Sequence, residues 1–139
     1  MPSQRPAVEG LRRLCALLSP FSARETLLAD WPAPAMWPSI VAQADTHRLI
    51  PALAVALDRL DAADRLDPEA AELLARIAAW NADRNEGLRR QVHGLSRAFN
   101  AAGLQPVWLK GALALLPAAG HAGGRMMLDL DVWLPDAKD

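Results

Sequence analysis

Cysteine is almost missing from the chain: Cys15 is the only one in 139 residues. An internal disulfide framework and a cysteine-built zinc site are both excluded. Cys15 lies on an apolar helical stretch and is expected to pack as a small hydrophobe. A charge excess is missing too. Fifteen Lys and Arg stand against sixteen Asp and Glu, for a net charge of −1. No basic surplus therefore marks a general binder of nucleic-acid phosphates. No apolar run reaches the roughly 18 residues of a membrane-spanning helix. Arg12 and Arg13 interrupt the apolar residues that a secretory leader would need. Internal repeats, low-complexity tails and heptad arrays are lacking. What is present is a 52% apolar chain, rich in alanine, which favours helices. Its length suits one ordinary domain, or a helical domain plus part of another. The expectation is a soluble cytoplasmic protein with no membrane partner.

Residues 1–103 read as a helical region. An amphipathic helix is predicted over about 7–18, stopping before Pro20. Ser22 and Glu25 have capping-box spacing and open a short helix to about Asp30. Prolines 32, 34 and 38 make 31–38 a rigid connector, with Trp31 and Trp37 packing it onto the core. Helices follow at about 38–46 and 51–60. Asp67-Pro68 is an N-cap followed by proline at the first helical position. The long pattern behind it runs to about Ala102, and Gly103 stops it. Its apolar stripe includes Leu73, Leu74, Ile77, Trp80, Leu88, Val92, Leu95 and Phe99. Residues 81–87 are polar all round, so the helix either bends or breaks there, Gly87 favouring a break, or crosses a wet cleft. Arg84 and Asn85 are candidate cleft residues.

The character changes at Leu104. Residues 105–109 read as a strand, Lys110-Gly111 as a turn, and 112–116 as a short helix ended by Pro117. Gly120, Gly123 and Gly124 mark a loop. Residues 127–134 then alternate apolar and acidic, the period of a strand with one buried face. Leu128, Leu130, Val132 and Leu134 share one side, and Asp129, Asp131 and Trp133 share the other. The two carboxylates lie roughly 6–7 Å apart at about 3.3 Å per residue. Mg²⁺ suits such a pair, taking one or two carboxylates and filling its shell with water and phosphate. A solvated edge strand, protected by its charge, explains the same pattern. At the turn, Gly111 permits close backbone approach, the following helix offers free N–H groups, and Lys110 adds a point charge for phosphate.

A glycine at the first strand–helix turn, followed by a strand bearing Asp-x-Asp, resembles the nucleotidyltransferase superfamily with its polymerase-beta-like fold. The closer resemblance is to the bacterial nucleotidyltransferase family proteins with a helical N-terminal region. Residues 107–113 (Val-Trp-Leu-Lys-Gly-Ala-Leu) are similar to that group's Leu-Lys-Gly segment. Residues 125–134, from Arg125 through Asp129 and Asp131, are similar to its Arg-x-x-x-Asp-Ile-Asp-Leu-Leu-Val segment. The 42–53 stretch with His47 and Pro51, and the 85–103 stretch, are similar to its helical approach.

The resemblance implies an α+β protein. A mainly helical region, 1–103, precedes the first β-α-β portion of a nucleotidyltransferase fold, 104–139, which is incomplete and truncated. It implies that Asp129 and Asp131 are catalytic and hold metal, and that Lys110, Gly111 and Arg125 bind the nucleotide. The complete site would take two Mg²⁺ ions, with a nucleoside triphosphate as substrate and a nucleoside monophosphate passed to an acceptor hydroxyl. The acceptor is not identified. Ala112, Trp133 and the long interval between Gly111 and Asp129 depart from the family pattern. The superfamily's third carboxylate comes from a later strand; Asp136 and Asp139 are poor substitutes. The chain alone is therefore expected to be inactive, and its status as an enzyme stays open. Arg125 either contacts phosphate or caps its loop. His47 is expected to cap a helix, His93 to lie beside the stripe, and His121 to lie in the glycine loop near the site. Two other functions remain open. One is a non-catalytic helical module that self-associates through its sheet edge. The other is a nucleotide sensor without turnover.

Overall fold

The computed structural model describes residues 4–115 and 123–135. Pro117, Gly120, His121, Asp136 and Asp139 lie outside the described residues. The order is α1 (Gln4–Leu18), α2 (Arg24–Ala29), α3 (Trp37–Thr46), α4 (Ile50–Arg59), α5 (Pro68–Ala101), β1 (Val107–Trp108) and β2 (Val132–Trp133). The class is α+β and helix-rich.

The main core lies between α1, α3, α4 and the first half of α5. Leu14, Leu17, Ile40, Leu53, Leu57 and Leu74 are buried there. α1 meets α3 at a very close crossing. A Cβ built on Gly10 would come within 2.9 Å of the Ser39 carbonyl carbon. Ser39 Oγ donates to the Pro6 carbonyl at 2.7 Å, which ties the two helices together. Cys15 is exposed, contrary to the expected packing. The buried face of α1 runs through Gly10, Leu14 and Leu17, and Cys15 is turned about 100° from Leu14 on a helix of 3.6 residues per turn.

The tryptophan connector folds down as expected. The Trp31 and Trp37 rings stand 5.4 Å apart at 45°, both packed against the core, with Arg65 over the Trp31 ring at 5.6 Å. The capping box at Ser22 does not form. α2 begins at Arg24, and its N-cap, Ala23, has no side-chain bond. Ser22 instead belongs to a tight turn, its N–H donating to the Ser19 carbonyl while the Phe21 N–H reaches Ser19 Oγ at 3.2 Å. Asp67 does cap α5, accepting from the Glu69 N–H at 3.0 Å.

α5 runs unbroken for 34 residues, about 50 Å at 1.5 Å per residue. The expected break at Gly87 is absent. The reason is the register of the buried face, which passes through Leu74, Asn81, Asn85 and Val92. Those spacings of seven, four and seven keep one stripe on one side, with two asparagines in its middle. Leu73, Trp80 and Leu95 fall off that line and are exposed. Gly103, at φ 77°, ends the helix region as expected. The Leu104 N–H reaches back to the Phe99 carbonyl at 2.9 Å, a Schellman closure.

Candidate functional site

The site is assembled where the chain returns to the far half of α5. β1 and β2 pair antiparallel, Val107 opposite Trp133 and Trp108 opposite Val132. The Leu109 N–H extends the ladder to the Asp131 carbonyl at 3.0 Å. Trp108 Nε1 donates to Ser96 Oγ on α5 at 2.9 Å and fixes the sheet to the helix. Beneath it lies a small second core of Val92, Leu115 and Met127. The strand predicted over 127–134 is shorter than expected. Leu128 is 58% exposed while Met127 is 3% exposed, the reverse of the expected alternation. β1 is two residues long and offers no ladder partner before Asp131. Residues 123–127 are held instead by contacts with α5 and Gly111.

Those contacts come from the asparagines. Asn81 Nδ2 donates to the Gly123 carbonyl at 2.7 Å and to the Arg125 carbonyl at 3.0 Å. Asn85 Nδ2 donates to the same Arg125 carbonyl at 2.8 Å. The side chains are nearly inaccessible, 5% and 1% exposed. Buried amides that satisfy backbone carbonyls hold a loop that has no ladder of its own. The polar stretch is thus neither the expected break nor a wet cleft. The available signal was the i, i+4 spacing of two asparagines on the line between Leu74 and Val92. Arg84, by contrast, is exposed and takes no part in the clamp. Gly111 packs tightly under the same segment, where a Cβ would lie 3.1 Å from Met127 Cε.

The sequence-predicted site residues converge. Lys110, Gly111, Arg125, Asp129 and Asp131 line one open groove of about 200 Å³. The ladder brings Lys110 to Asp131, Nζ standing 3.1 Å from Oδ2. Lys110 adopts φ 47°, in the left-handed region, and the Ala112 N–H closes that turn onto the Leu109 carbonyl at 3.1 Å. Arg48, which the sequence reading did not single out, lines the groove as well. His47 is the C-cap of α3, and His93 is exposed on α5.

The donor set fits a hard divalent ion. Two carboxylates two residues apart open onto one groove, and Asp131 already holds a cation, the Lys110 ammonium. The pair is 72% and 34% exposed, so it contributes about 0–1 kcal/mol and yields readily to a competing ion. Among the described residues no group of three or more metal-ligating side chains forms. Four other grooves lined by described residues lack the paired aspartates. A groove of about 270 Å³ between α4 and α5 is lined mostly by Ala, Leu and Val, with Asp58 its single charged residue. Among the described residues the carboxyl most displaced in acidity is Glu9 on α1, held down to about 2 by the Arg12 guanidinium beside it. That is a solvent-facing ion pair of α1, remote in sequence from every residue of the groove.

In this groove a 3-10 helix, Lys110–Leu115, which replaces the short helix expected over 112–116, brings Lys110 and Gly111 beside Asp129 and Asp131. A family described as uncharacterised nucleotidyltransferases matches residues 33–138, and the chain belongs to that family. The match covers both the helical region from the connector onward and the groove-bearing segment. No curated protein and no solved structure matches the chain. No helix among the described residues is long and apolar enough to cross a membrane.

Proposed function

We propose that this chain binds a Mg²⁺–nucleoside triphosphate in the Lys110–Asp131 groove, as part of a nucleotidyltransferase that passes a nucleoside monophosphate to an acceptor hydroxyl. The observation that carries the reading is the convergence of Lys110, Gly111, Arg125, Asp129 and Asp131 on one groove. Asp129 and Asp131 would hold the metal. Bound Mg²⁺ would neutralise phosphate charge and lower the pKa of the acceptor hydroxyl. Lys110, once released from Asp131, would pair with a phosphate oxygen, and Gly111, without a side chain, would let the ligand approach the backbone closely. In the transfer the acceptor hydroxyl would lose its proton to solvent. Its oxygen would bond to the α-phosphorus as the bond to the bridging oxygen of the β-phosphate breaks, and pyrophosphate would leave with that oxygen. The chain's contribution is positioning and charge compensation. A bacterial, cytoplasmic setting belongs to the same proposal. Among the described residues the groove carries two carboxylates, Asp129 and Asp131, where the two-metal arrangement takes three. Metal-dependent binding without transfer is therefore expected of these 139 residues alone.

Titration calorimetry with Mg²⁺ and each of the four nucleoside triphosphates tests the reading. Binding is expected for the parent chain and is lost in the Asp129→Asn/Asp131→Asn variant. Identical isotherms for the two would refute the metal assignment. Label transferred from α-labelled nucleotide to any acceptor would refute the absence of turnover.

A second reading has its own observation. Val107 and Trp133, paired across the ladder, are 40% and 58% exposed beside the exposed Leu128. A two-stranded sheet packed on α5 through Trp108 but with Val107 and Trp133 exposed favours strand addition by another chain. Sedimentation velocity over a hundredfold concentration range separates the two: a rising oligomer size without nucleotide binding supports the interaction module.

A further inference from the structure

We propose that Arg48 is a phosphate-binding residue of this site, contributed by the helical region and directed at the triphosphate chain of the nucleotide. The proposal rests on the nucleotidyltransferase reading above.

Three observations carry it. Arg48 lines the groove together with Lys110, Gly111, Arg125, Asp129 and Asp131, although it lies more than sixty residues upstream of all of them. It occupies the C′ position of a Schellman closure behind α3, its N–H donating to the Asp45 carbonyl at 2.9 Å while the Leu49 N–H donates to the Ala44 carbonyl at 2.6 Å. Its φ is 58° there, in a place where glycine is the usual residue. Among the described residues only Arg48, Asp61 and Lys110 combine a side chain with positive φ. Two of those three are cations on this one groove. Uncommon backbone held at a cleft is a pointer to function.

Arg48 is exposed and has neither an ion pair nor a side-chain hydrogen bond among the described residues. Its five donors are thus available. Lys110 is engaged by Asp131, whereas Arg48 and Arg125 face the groove uncommitted. Among the described lining residues, three cations against two carboxylates leave a positive excess even before a metal joins. A polyanion fits that balance. A guanidinium also offers the planar fork that takes two phosphate oxygens at once. The helical region would then bind substrate directly, and the nucleotide would bridge α3 to the Asp-x-Asp segment.

The substitution Arg48→Gly tests this without threatening the fold, because glycine is favoured at the observed φ. The probes are Mg²⁺–ATP, Mg²⁺–tripolyphosphate and adenosine, with the melting temperature measured in parallel. Arg48→Gly is expected to melt no lower than the parent and to bind Mg²⁺–ATP and Mg²⁺–tripolyphosphate at least tenfold more weakly. Its adenosine affinity should be unchanged, and Arg48→Lys should fall between. Unchanged triphosphate affinity in Arg48→Gly, with binding still lost in Asp129→Asn/Asp131→Asn, overturns the role of Arg48 alone. A lower melting temperature in Arg48→Gly assigns the residue a structural role and overturns the proposal. Absence of metal-dependent binding in the parent removes the nucleotidyltransferase reading and this one with it.

Discussion

At the scale of single residues, Asn81 is the position where structure and chemistry are most tightly joined. Its amide holds two carbonyls of the segment that leads to Asp129, and it is 5% exposed. Asn81→Ala removes the amide donor to the Gly123 carbonyl and one of the two to the Arg125 carbonyl, which keeps Asn85. Losing buried hydrogen bonds of this kind costs about 1–3 kcal/mol. Urea denaturation should show that loss as a lower midpoint at unchanged slope, and Mg²⁺–nucleotide affinity should fall with it as Asp129 loses its fixed approach. A midpoint within error of the parent would mean that the clamp contributes nothing. The aspartates and Lys110-Gly111 were legible as residues because their types and order carry the chemistry. Arg48 was not legible, because neither its type nor its neighbours mark it. Its importance comes from a φ value and a groove that exist only once the chain is folded.

At the scale of elements, helix boundaries were read closely from local signals. Asp67-Pro68 and Gly103 act through bonds that span a few residues, so their effect is local. Ser22 failed because a competing turn from Ser19 shifted the start of α2. Gly87 failed as a break because a lone glycine costs about 1 kcal/mol, while α5 is packed on both sides of it, through Leu74 and Val92. Gly10 is the element-scale test. A methyl group there meets the Ser39 backbone at 2.9 Å, which cannot move without shifting α3. Gly10→Ala should destabilise by about 1–3 kcal/mol, as overpacking of a tight interface does. Thermal unfolding followed by circular dichroism checks it. Gly111→Ala is a useful contrast, since the flexible Met127 side chain can give way.

At the scale of the whole molecule, two cores of unequal size share α5. The main one gathers a dozen buried residues, from Leu14 to Leu74. The other has Val92, Leu115 and Met127 beneath a sheet of two strands, a marginal unit by itself. Hydrogen exchange should reflect that inequality. The Leu109 amide and those of β2 should exchange faster than amides in the middle of α1, α3 and α4. Mg²⁺–nucleotide should slow the first group preferentially, because binding stabilises the state that binds. Equal protection of the two groups in the free chain would contradict the two-core description.

The sequence by itself determined the helix-rich α+β class, the order of the helices and which residues, Lys110, Gly111, Arg125, Asp129 and Asp131, were candidates for one site. Those properties depend on periodicity, capping and side-chain chemistry over short spans. Only the tertiary structure decided that the polar stretch of α5 is a clamp, that Met127 rather than Leu128 turns inward, and that Arg48 joins Lys110 and Asp131 at one groove. Each of these depends on contacts between segments tens of residues apart. Local pattern cannot specify such contacts, because they are selected by how whole faces pack.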